Sequence, residues 1–168
     1  MKKFWCLLLL ACAAPARAAD DAPLAPIAFW AGSTWRGQLP PPPQGGTAPV
    51  LETTFAWMEN GKALRFDTVA VAGERRRPYV SGMYAWHPGR KSIVFWYADA
   101  AGALTEGAVA VEDGALSLDF TATSAAGVAT AYRARITPEG VDAYWNEIFR
   151  RENEEWKSFV KVRYERVK

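Results

Sequence analysis

Few side chains in this sequence could carry out metal or nucleophilic chemistry. His87 is the only histidine, and the two cysteines are Cys6 and Cys12. Zinc and copper sites need several nitrogen or sulfur ligands, and a Ser-His-Asp or Cys-His arrangement needs a histidine as its base. His87 directly precedes Pro88-Gly89, so we expect it at a turn. The sequence therefore predicts no metal site, no obligatory cofactor and no catalytic residues of these kinds.

Carboxylates are the remaining option for acid and base chemistry. Glu52, Asp67, Glu106 and Asp119 all fall on predicted strands, and Asp67 shares a face with Arg65. If that face pointed inward, Arg65, Asp67 and Glu52 would form a buried cluster able to orient a polar or anionic ligand or to exchange protons. Alternation favours an outward face, where such pairs contribute little stability. Arg65 remains a candidate ligand-binding residue, and an enzyme is the third-ranked hypothesis.

The first residues indicate export. Lys2 and Lys3 precede an apolar segment from Phe4 to Ala14, and Ala16-Arg17-Ala18 has the small-x-small pattern of a cleavage site. We therefore predict a signal peptide over residues 1–18 and delivery through Sec to the periplasm. The apolar segment is shorter than the roughly 20 residues that a membrane-spanning helix needs, so no transmembrane segment is predicted.

The predicted mature domain covers residues 19–168 and contains no cysteine. Leu9-Leu10-Ala11-Cys12 loosely resembles a lipobox, and a lipoprotein acylated at Cys12 is the less favoured alternative. Cleavage removes three positive charges from a formal net charge of +2 and leaves about −1. This balance gives no electrostatic case for nucleic acid as a partner. The one dense basic run, Arg75-Arg76-Arg77, is predicted to lie at a loop tip.

The remainder of the chain has the pattern of an antiparallel meander. Short alternating segments are separated by the turn signals Asn60-Gly61, Pro88-Gly89, Asp113-Gly114 and Pro138-Glu139-Gly140. We predict an all-β domain, an up-and-down antiparallel β-barrel of about 8–10 strands with a short N-terminal helical turn. The helical turn is expected at Ile27 to Ala31, and Pro40 to Gly46 should form a connection at the barrel mouth. The predicted strands are Thr34–Leu39, Val50–Met58, Lys62–Val71, Tyr79–Trp86, Lys91–Ala98, Leu104–Glu112, Ala115–Thr123, Val128–Ile136, Val141–Phe149 and Trp156–Val167.

We expect two-residue turns to fix the register of three hairpins. The register determines which side chains share each face of the hairpin. The hairpins at Asn60-Gly61 and Asp113-Gly114 each have one apolar face and one polar face. The hairpin at Pro88-Gly89 is apolar on both faces, so its outside should be covered by the short helix at Phe29-Trp30, by another subunit or by a membrane surface. The predicted pairs are Trp57 with Leu64, Phe55 with Phe66, Val111 with Leu116, Gly107 with Phe120, Tyr84 with Ile93, and Gly82 with Phe95.

Two segments carry a resemblance to a family. The run from Phe29 to Gly37, FWAGSTWRG, resembles the "LxGTWxG" opening of small lipocalin-like domains of the calycin group, which include bacterial families of unknown function. The run from Gly82 to Tyr97 is similar to a hairpin of the same families. The resemblance implies an up-and-down barrel with Trp35 plugging one end and Arg163 or Arg166 stacked on it. The chain departs from the pattern by one extra residue before Trp35, and its last strand lacks the histidine that haem-binding barrels of similar design use.

Two functions of different classes follow. The first is binding of a small hydrophobic or amphipathic molecule inside the barrel. The second is a structural or interaction module of the cell envelope whose barrel is filled by its own side chains, with a homodimer or an envelope protein as its partner. Inward-facing small residues would widen a cavity, so the orientation of Gly82, Gly107, Ala56 and Ala108 distinguishes the two. The candidate ligand-binding residues are Phe55, Trp57, Arg65, Phe66, Tyr84, Phe95 and Phe120.

Overall fold

The computed structural model describes residues 23–41 and 45–168, and the predicted signal peptide lies outside these ranges. Ten antiparallel strands follow a short 3₁₀ helix, Ala25–Trp30, and each strand pairs with its neighbours in sequence. The last strand pairs with the first, which closes the sheet into a barrel, as the sequence predicts. The strands are β1 Ser33–Gln38, β2 Val50–Trp57, β3 Ala63–Ala72, β4 Arg75–His87, β5 Ser92–Asp99, β6 Leu104–Glu112, β7 Ala115–Thr123, β8 Ala129–Pro138, β9 Ala143–Glu152 and β10 Glu155–Arg166.

Two of the three predicted hairpin registers are confirmed. Phe55 pairs with Phe66 across the Asn60-Gly61 turn, and Gly107 pairs with Phe120 across the Asp113-Gly114 turn. Each pair places one apolar face toward the interior of the barrel.

The predicted register of the Pro88-Gly89 hairpin is wrong by two residues. Tyr84 pairs with Phe95, because the turn contains four residues, 88–91. Lys91 has a φ of 49°, a left-handed conformation that is uncommon outside glycine. A shift of two residues preserves the alternation, so the inward face is the predicted one.

The arginine run lies in a strand and not at a loop tip. Gly73 and Glu74 form the turn, with Gly73 at a φ of 61°, and β4 begins at Arg75. The side chain of Arg76 reaches across the outer surface to Glu52, with 2.6 Å between Nη2 and Oε2. The loop-tip prediction was wrong because it assumed a loop from Gly73 to Pro78. The turn contains only Gly73 and Glu74, so the three arginines belong to β4.

The short helix packs inside the barrel end and not over the outer face of the β4–β5 hairpin. Trp30 is fully buried, and its ring stacks on Phe55 with centroids 5.0 Å apart. Gly32, at a φ of 69°, turns the chain from the helix into β1. On the outer face, Trp96 is 40% exposed. The helix therefore closes one end of the barrel, called here the closed end, and the opposite end is called the mouth.

Among the described residues, no helical segment has the length and apolar character that a membrane span requires. No three His, Cys, Asp or Glu side chains within residues 23–41 and 45–168 lie close enough together to hold a metal ion.

Candidate ligand-binding site

Trp35 and Arg166 form the plug of the closed end. Trp35 is fully buried, and the guanidinium carbon of Arg166 lies 4.7 Å from the centroid of its ring. Arg166 also donates hydrogen bonds to Ser33 Oγ at 2.5 Å and to the Phe29 carbonyl at 3.3 Å. The plug implied by the family resemblance is thus confirmed, with Arg166 and not Arg163 in the stacking position. Arg163 pairs on the surface instead, with Glu139 and Glu165.

Aromatic side chains fill the closed half of the barrel. Trp35 and Tyr144 meet edge to face at 5.0 Å, and Tyr144 and Tyr164 stack with centroids 5.0 Å apart. Burial raises the pKa of the Tyr84, Tyr144 and Tyr164 hydroxyls, because the ionised phenolate loses its hydration in this apolar interior. The described rings of this half are in contact with one another.

A continuous row of inward-facing rings leads from the closed half to the mouth. Tyr84, Phe95, Phe120 and Tyr132 belong to one line of cross-strand neighbours, with Gly107 between Phe95 and Phe120. Their centroids lie 5.4, 5.9 and 5.5 Å apart in that order. Because barrel strands tilt relative to the axis, such a line climbs along the interior. Tyr84 and Phe95 are buried, whereas Phe120 and Tyr132 are half-buried.

Several inward-facing side chains in the mouth half of the barrel are only half-buried, in contrast to Leu64 and Ile93 near the closed end, which are 0% and 3% exposed. The inward-facing Thr53 and Thr68 of the mouth half are buried. Phe66 and Phe95 form the floor, at 6% and 3% exposure. We call this half of the interior the mouth cup; its walls are Ala70, Val80, Tyr97, Phe120, Ala122, Tyr132, Ile148 and Val160.

The described polar side chains of the mouth cup include one hydrogen-bonded pair of threonines. Thr53 and Thr68 are buried and share a hydrogen bond of 2.9 Å between their hydroxyls. Burial raises the pKa of Tyr97, although a hydrogen bond with the Thr105 side chain acts in the opposite direction. The walls are therefore apolar, with a small number of fixed hydroxyl groups.

Arg150 supplies a charge at the rim of the cup. It is the cross-strand neighbour of Tyr132, forms an ion pair with Glu152, and lies 5.1 Å over the ring of Phe159. The ion pair with Glu152 raises the pKa of Arg150, so the guanidinium stays charged at any ordinary pH. The rim thus has both signs of charge next to an aromatic surface.

The structure brings five of the seven candidate residues together inside the barrel. Phe55, Phe66, Tyr84 and Phe95 are buried and Phe120 is half-buried, in one chain of ring contacts.

Two candidates lie elsewhere. Trp57 is at the closed end and 41% exposed, because β2 ends there. Arg65 points outward, and its side chain is 63% exposed and paired with Asp67.

Tyr97, Tyr132, Ile148 and Arg150 were not singled out from the sequence. Each lies on the inward parity of its strand, so the alternation contains a signal for them. The alternation does not indicate the position of each residue along the barrel axis, because that position depends on strand tilt and register.

The small residues divide between the two faces. Gly82 and Gly107 point inward, whereas Ala56 and Ala108 point outward. The inward glycines do not widen a cavity. A Cβ at Gly107 would lie 2.9 Å from Phe95 Cε1 and 2.5 Å from the Asp119 carbonyl oxygen, so the space is already occupied.

The outward charged groups form surface pairs, as alternation favours. Ser81 donates a hydrogen bond of 2.7 Å to Asp67. Glu52 is the exception in burial, since it is only 9% exposed between Arg36 and Arg76, and hydrogen bonds from both hold the pKa of its carboxyl below the ordinary value. Its oxygens are fully engaged by these cations, which suits a structural role.

His87 lies at the turn, as predicted. Its Nδ1 accepts a hydrogen bond of 3.1 Å from the Arg90 backbone N–H, and the side chain is exposed. This bond fixes the four-residue connection between β4 and β5.

Comparisons with known proteins add a fold neighbour. No protein-family model matches the chain, and no curated protein matches it in sequence. The crystal structure of Rv2717c from M. tuberculosis is similar, with a TM-score of 0.58 and 14% sequence identity over 86% of this chain and 97% of that one. At this identity the likeness concerns the fold alone.

Proposed function

We propose that this chain is an exported binding protein whose mouth cup holds a small apolar or amphipathic molecule. The observation that carries the proposal is the change in burial along the interior. Several inward-facing side chains near the mouth, among them Phe120, Tyr132 and Ile148, are only half-buried, whereas Leu64 and Ile93 near the closed end are buried. Half-buried aromatic walls with a few oriented polar groups are the usual lining of a small-molecule site.

The rim determines how an amphipathic ligand would lie. Its apolar body contacts Phe120, Tyr132 and Ile148, and its polar end faces Arg150 and Glu152. The family resemblance supports the same arrangement, because lipocalin-type barrels hold one small ligand in their interior.

A substitution that fills the cup tests the proposal. Ala122 faces inward at the mouth, so Ala122→Trp should occupy the space of the ligand. Binding is measured by the fluorescence of N-phenyl-1-naphthylamine, a neutral apolar probe. We expect saturable binding to the wild type and an affinity at least about tenfold lower in Ala122→Trp, a loss of about 1.4 kcal/mol or more. Ala129→Trp, on the exposed outer face near the same end, is the matched control and should bind as the wild type does.

The alternative function is an envelope structural or interaction module without a ligand. The packed aromatic interior of the closed half favours it. Under this alternative the wild type shows no saturable probe binding, and Ala122→Trp changes stability without changing fluorescence.

Export to the periplasm is part of the proposal and rests on the sequence of residues 1–18. Mass spectrometry of the protein from a periplasmic extract tests it. A chain beginning at Ala19 supports cleavage by the Sec signal peptidase, whereas a chain beginning at an acylated Cys12 would replace it with the lipoprotein alternative.

A further inference from the structure

A groove crosses the outer surface of the barrel over β5, β6, β7 and β8, on the side of the sheet opposite to the mouth cup. Its volume is about 590 Å³. Small or short side chains form its base, namely Val94, Ala108, Thr121 and Ala131. Because these residues are outward-facing, the groove is separated from the interior by the sheet itself.

Tryptophans stand at the two ends of this groove. Trp96 is 40% exposed, and its indole makes none of the cation–π or ring contacts found among the described residues. Trp156 is held in place, because the Arg133 guanidinium lies 4.5 Å over its ring and donates a hydrogen bond of 2.7 Å to Asp119. One indole is therefore free and the other is fixed in orientation.

Polar groups occupy the floor and one side between the tryptophans. Trp96, Glu106, Thr121 and Ala131 are successive cross-strand neighbours, so they form one line across three strand gaps, about 14 Å at the usual strand spacing. Glu106 is exposed and forms no ion pair with any residue in the described ranges. Its carboxylate is thus a free hydrogen-bond acceptor in the groove.

Donors lie at the other side of the groove. His87 and Arg90 both line it. Because His87 Nδ1 accepts a hydrogen bond from the backbone, the proton of the neutral imidazole is on Nε2, which makes Nε2 a donor. Arg90 adds guanidinium N–H groups.

We propose that this groove binds a short, neutral, β-1,4-linked oligosaccharide. The flat faces of such pyranose rings present axial C–H groups with partial positive charge, which suit the negative face of an indole. Their edges carry hydroxyls that donate to Glu106 and accept from His87 and Arg90. A purely apolar ligand would leave these polar groups without partners, and a polyanion would be repelled by Glu106.

Isothermal titration calorimetry with chitotetraose and cellotetraose tests the proposal. We expect at least one of the two to bind the wild type, and Trp96→Ala and Trp156→Ala each to weaken that binding about tenfold or more. Trp57→Ala is the matched control, because Trp57 is 41% exposed but does not line the groove. Glu106→Gln should weaken binding several-fold, since the neutral amide is a poorer acceptor than a carboxylate.

Far-UV circular dichroism and the urea midpoint verify that each variant is folded. Failure of both saccharides to bind the folded wild type would overturn the proposal. Equal affinities in the wild type, Trp96→Ala and Trp156→Ala would also overturn it. A saccharide that displaces N-phenyl-1-naphthylamine would place the sugar in the mouth cup and would likewise contradict the outer site.

Discussion

The guanidinium of Arg166 stacks on the ring of Trp35 at 4.7 Å. Arg166, on the last strand of the barrel, therefore covers the plug residue Trp35 on the first strand. Arg166 also contacts the carbonyl oxygen of Val141 at 3.0 Å and Ser33 Oγ at 2.5 Å. Arg166 thus adds side-chain contacts between the end of β10 and the start of β1, beside the backbone pairing that closes the sheet.

Removing this side chain should destabilise the closed end. We expect Arg166→Ala to lower the free energy of unfolding by about 2 kcal/mol, because it removes the donor to the partly buried Ser33 hydroxyl and Phe29 carbonyl and uncovers the Trp35 ring. Arg166→Lys should restore only part of this, since an ammonium lacks the planar fork that contacts several acceptors. Urea unfolding followed by tryptophan fluorescence provides the measurement.

Arg163→Ala is the matched control on the same strand. Arg163 pairs with exposed carboxylates, so its removal should leave the urea midpoint nearly unchanged. Equal losses in Arg163→Ala and Arg166→Ala would show that the plug contributes nothing specific.

The Glu52 carboxyl should make stability depend on pH in the acid range. Its pKa in the folded protein is lowered by Arg76 and Arg36, so its contribution is present above the ordinary pKa of 4.5 and is lost as pH falls through the folded value. We expect Glu52→Gln to be less stable than the wild type by about 1 kcal/mol at pH 7, an amount reduced by solvent screening of the exposed arginines.

The two proteins should converge in stability below pH 4.5, as measured by urea unfolding at a series of pH values. Glu112→Gln, at the exposed end of β6, is the control and should leave the urea midpoint at pH 7 nearly unchanged. A difference for Glu52→Gln that is the same at pH 3 and pH 7 would rule out this role of the ion pairs.

The buried tyrosines should cause unfolding at alkaline pH. Burial raises the pKa of Tyr84, Tyr144 and Tyr164 above the ordinary value of 10, so each hydroxyl keeps its proton longer in the folded state than in the unfolded chain. These three hydroxyls therefore leave stability unchanged below pH 10 and decrease it above that pH, by about 1.4 kcal/mol per pH unit for each tyrosine.

Absorbance at 295 nm together with circular dichroism tests this expectation. Ionisation of these tyrosines should coincide with the loss of β-sheet signal, and Tyr84→Phe should move that transition to higher pH. Full ionisation of all six tyrosines in a still-folded protein would contradict it.

Gly107 should tolerate no side chain. A Cβ there would lie 2.5 Å from both the Asp119 carbonyl oxygen and Phe120 Cβ, and neither can move without displacing a strand. We expect Gly107→Ala to cost about 2–3 kcal/mol through overpacking. Gly89→Ala is the control, because the nearest atom to its Cβ would be Cε1 of the exposed His87 side chain at 3.3 Å, with no backbone atom in the way. Similar urea midpoints for the two variants would refute the packing argument.

Much of the fold could be predicted from alternation and turns. Asn60-Gly61 and Asp113-Gly114 are two-residue turn signals, and they set the observed pairing of Phe55 with Phe66 and of Gly107 with Phe120. The Pro88-Gly89 turn could not be predicted in the same way. Its length depends on the left-handed conformation of Lys91, which the sequence does not favour.

The sequence predicts which side chains face the interior of the barrel but not how far each one lies from the mouth. Alternation identifies Phe95 and Phe120 as inward-facing, but it does not show that Phe95 lies on the floor and Phe120 on the wall of the cup. Trp57 shares the parity of Phe55 and still ends at the surface, because β2 stops there. Height along the barrel depends on tilt and strand length, which are properties of the closed sheet as a whole.

Native mass spectrometry most directly tests the claim that the mouth cup is a binding site. The full chain, expressed with its own N-terminal segment and purified from the periplasm without detergent, should carry a reproducible bound mass that is released on denaturation. Ala122→Trp should appear without that mass, and Ala129→Trp should retain it. A wild type that is bare under the same conditions, or an Ala122→Trp protein that carries the same mass, would contradict the account.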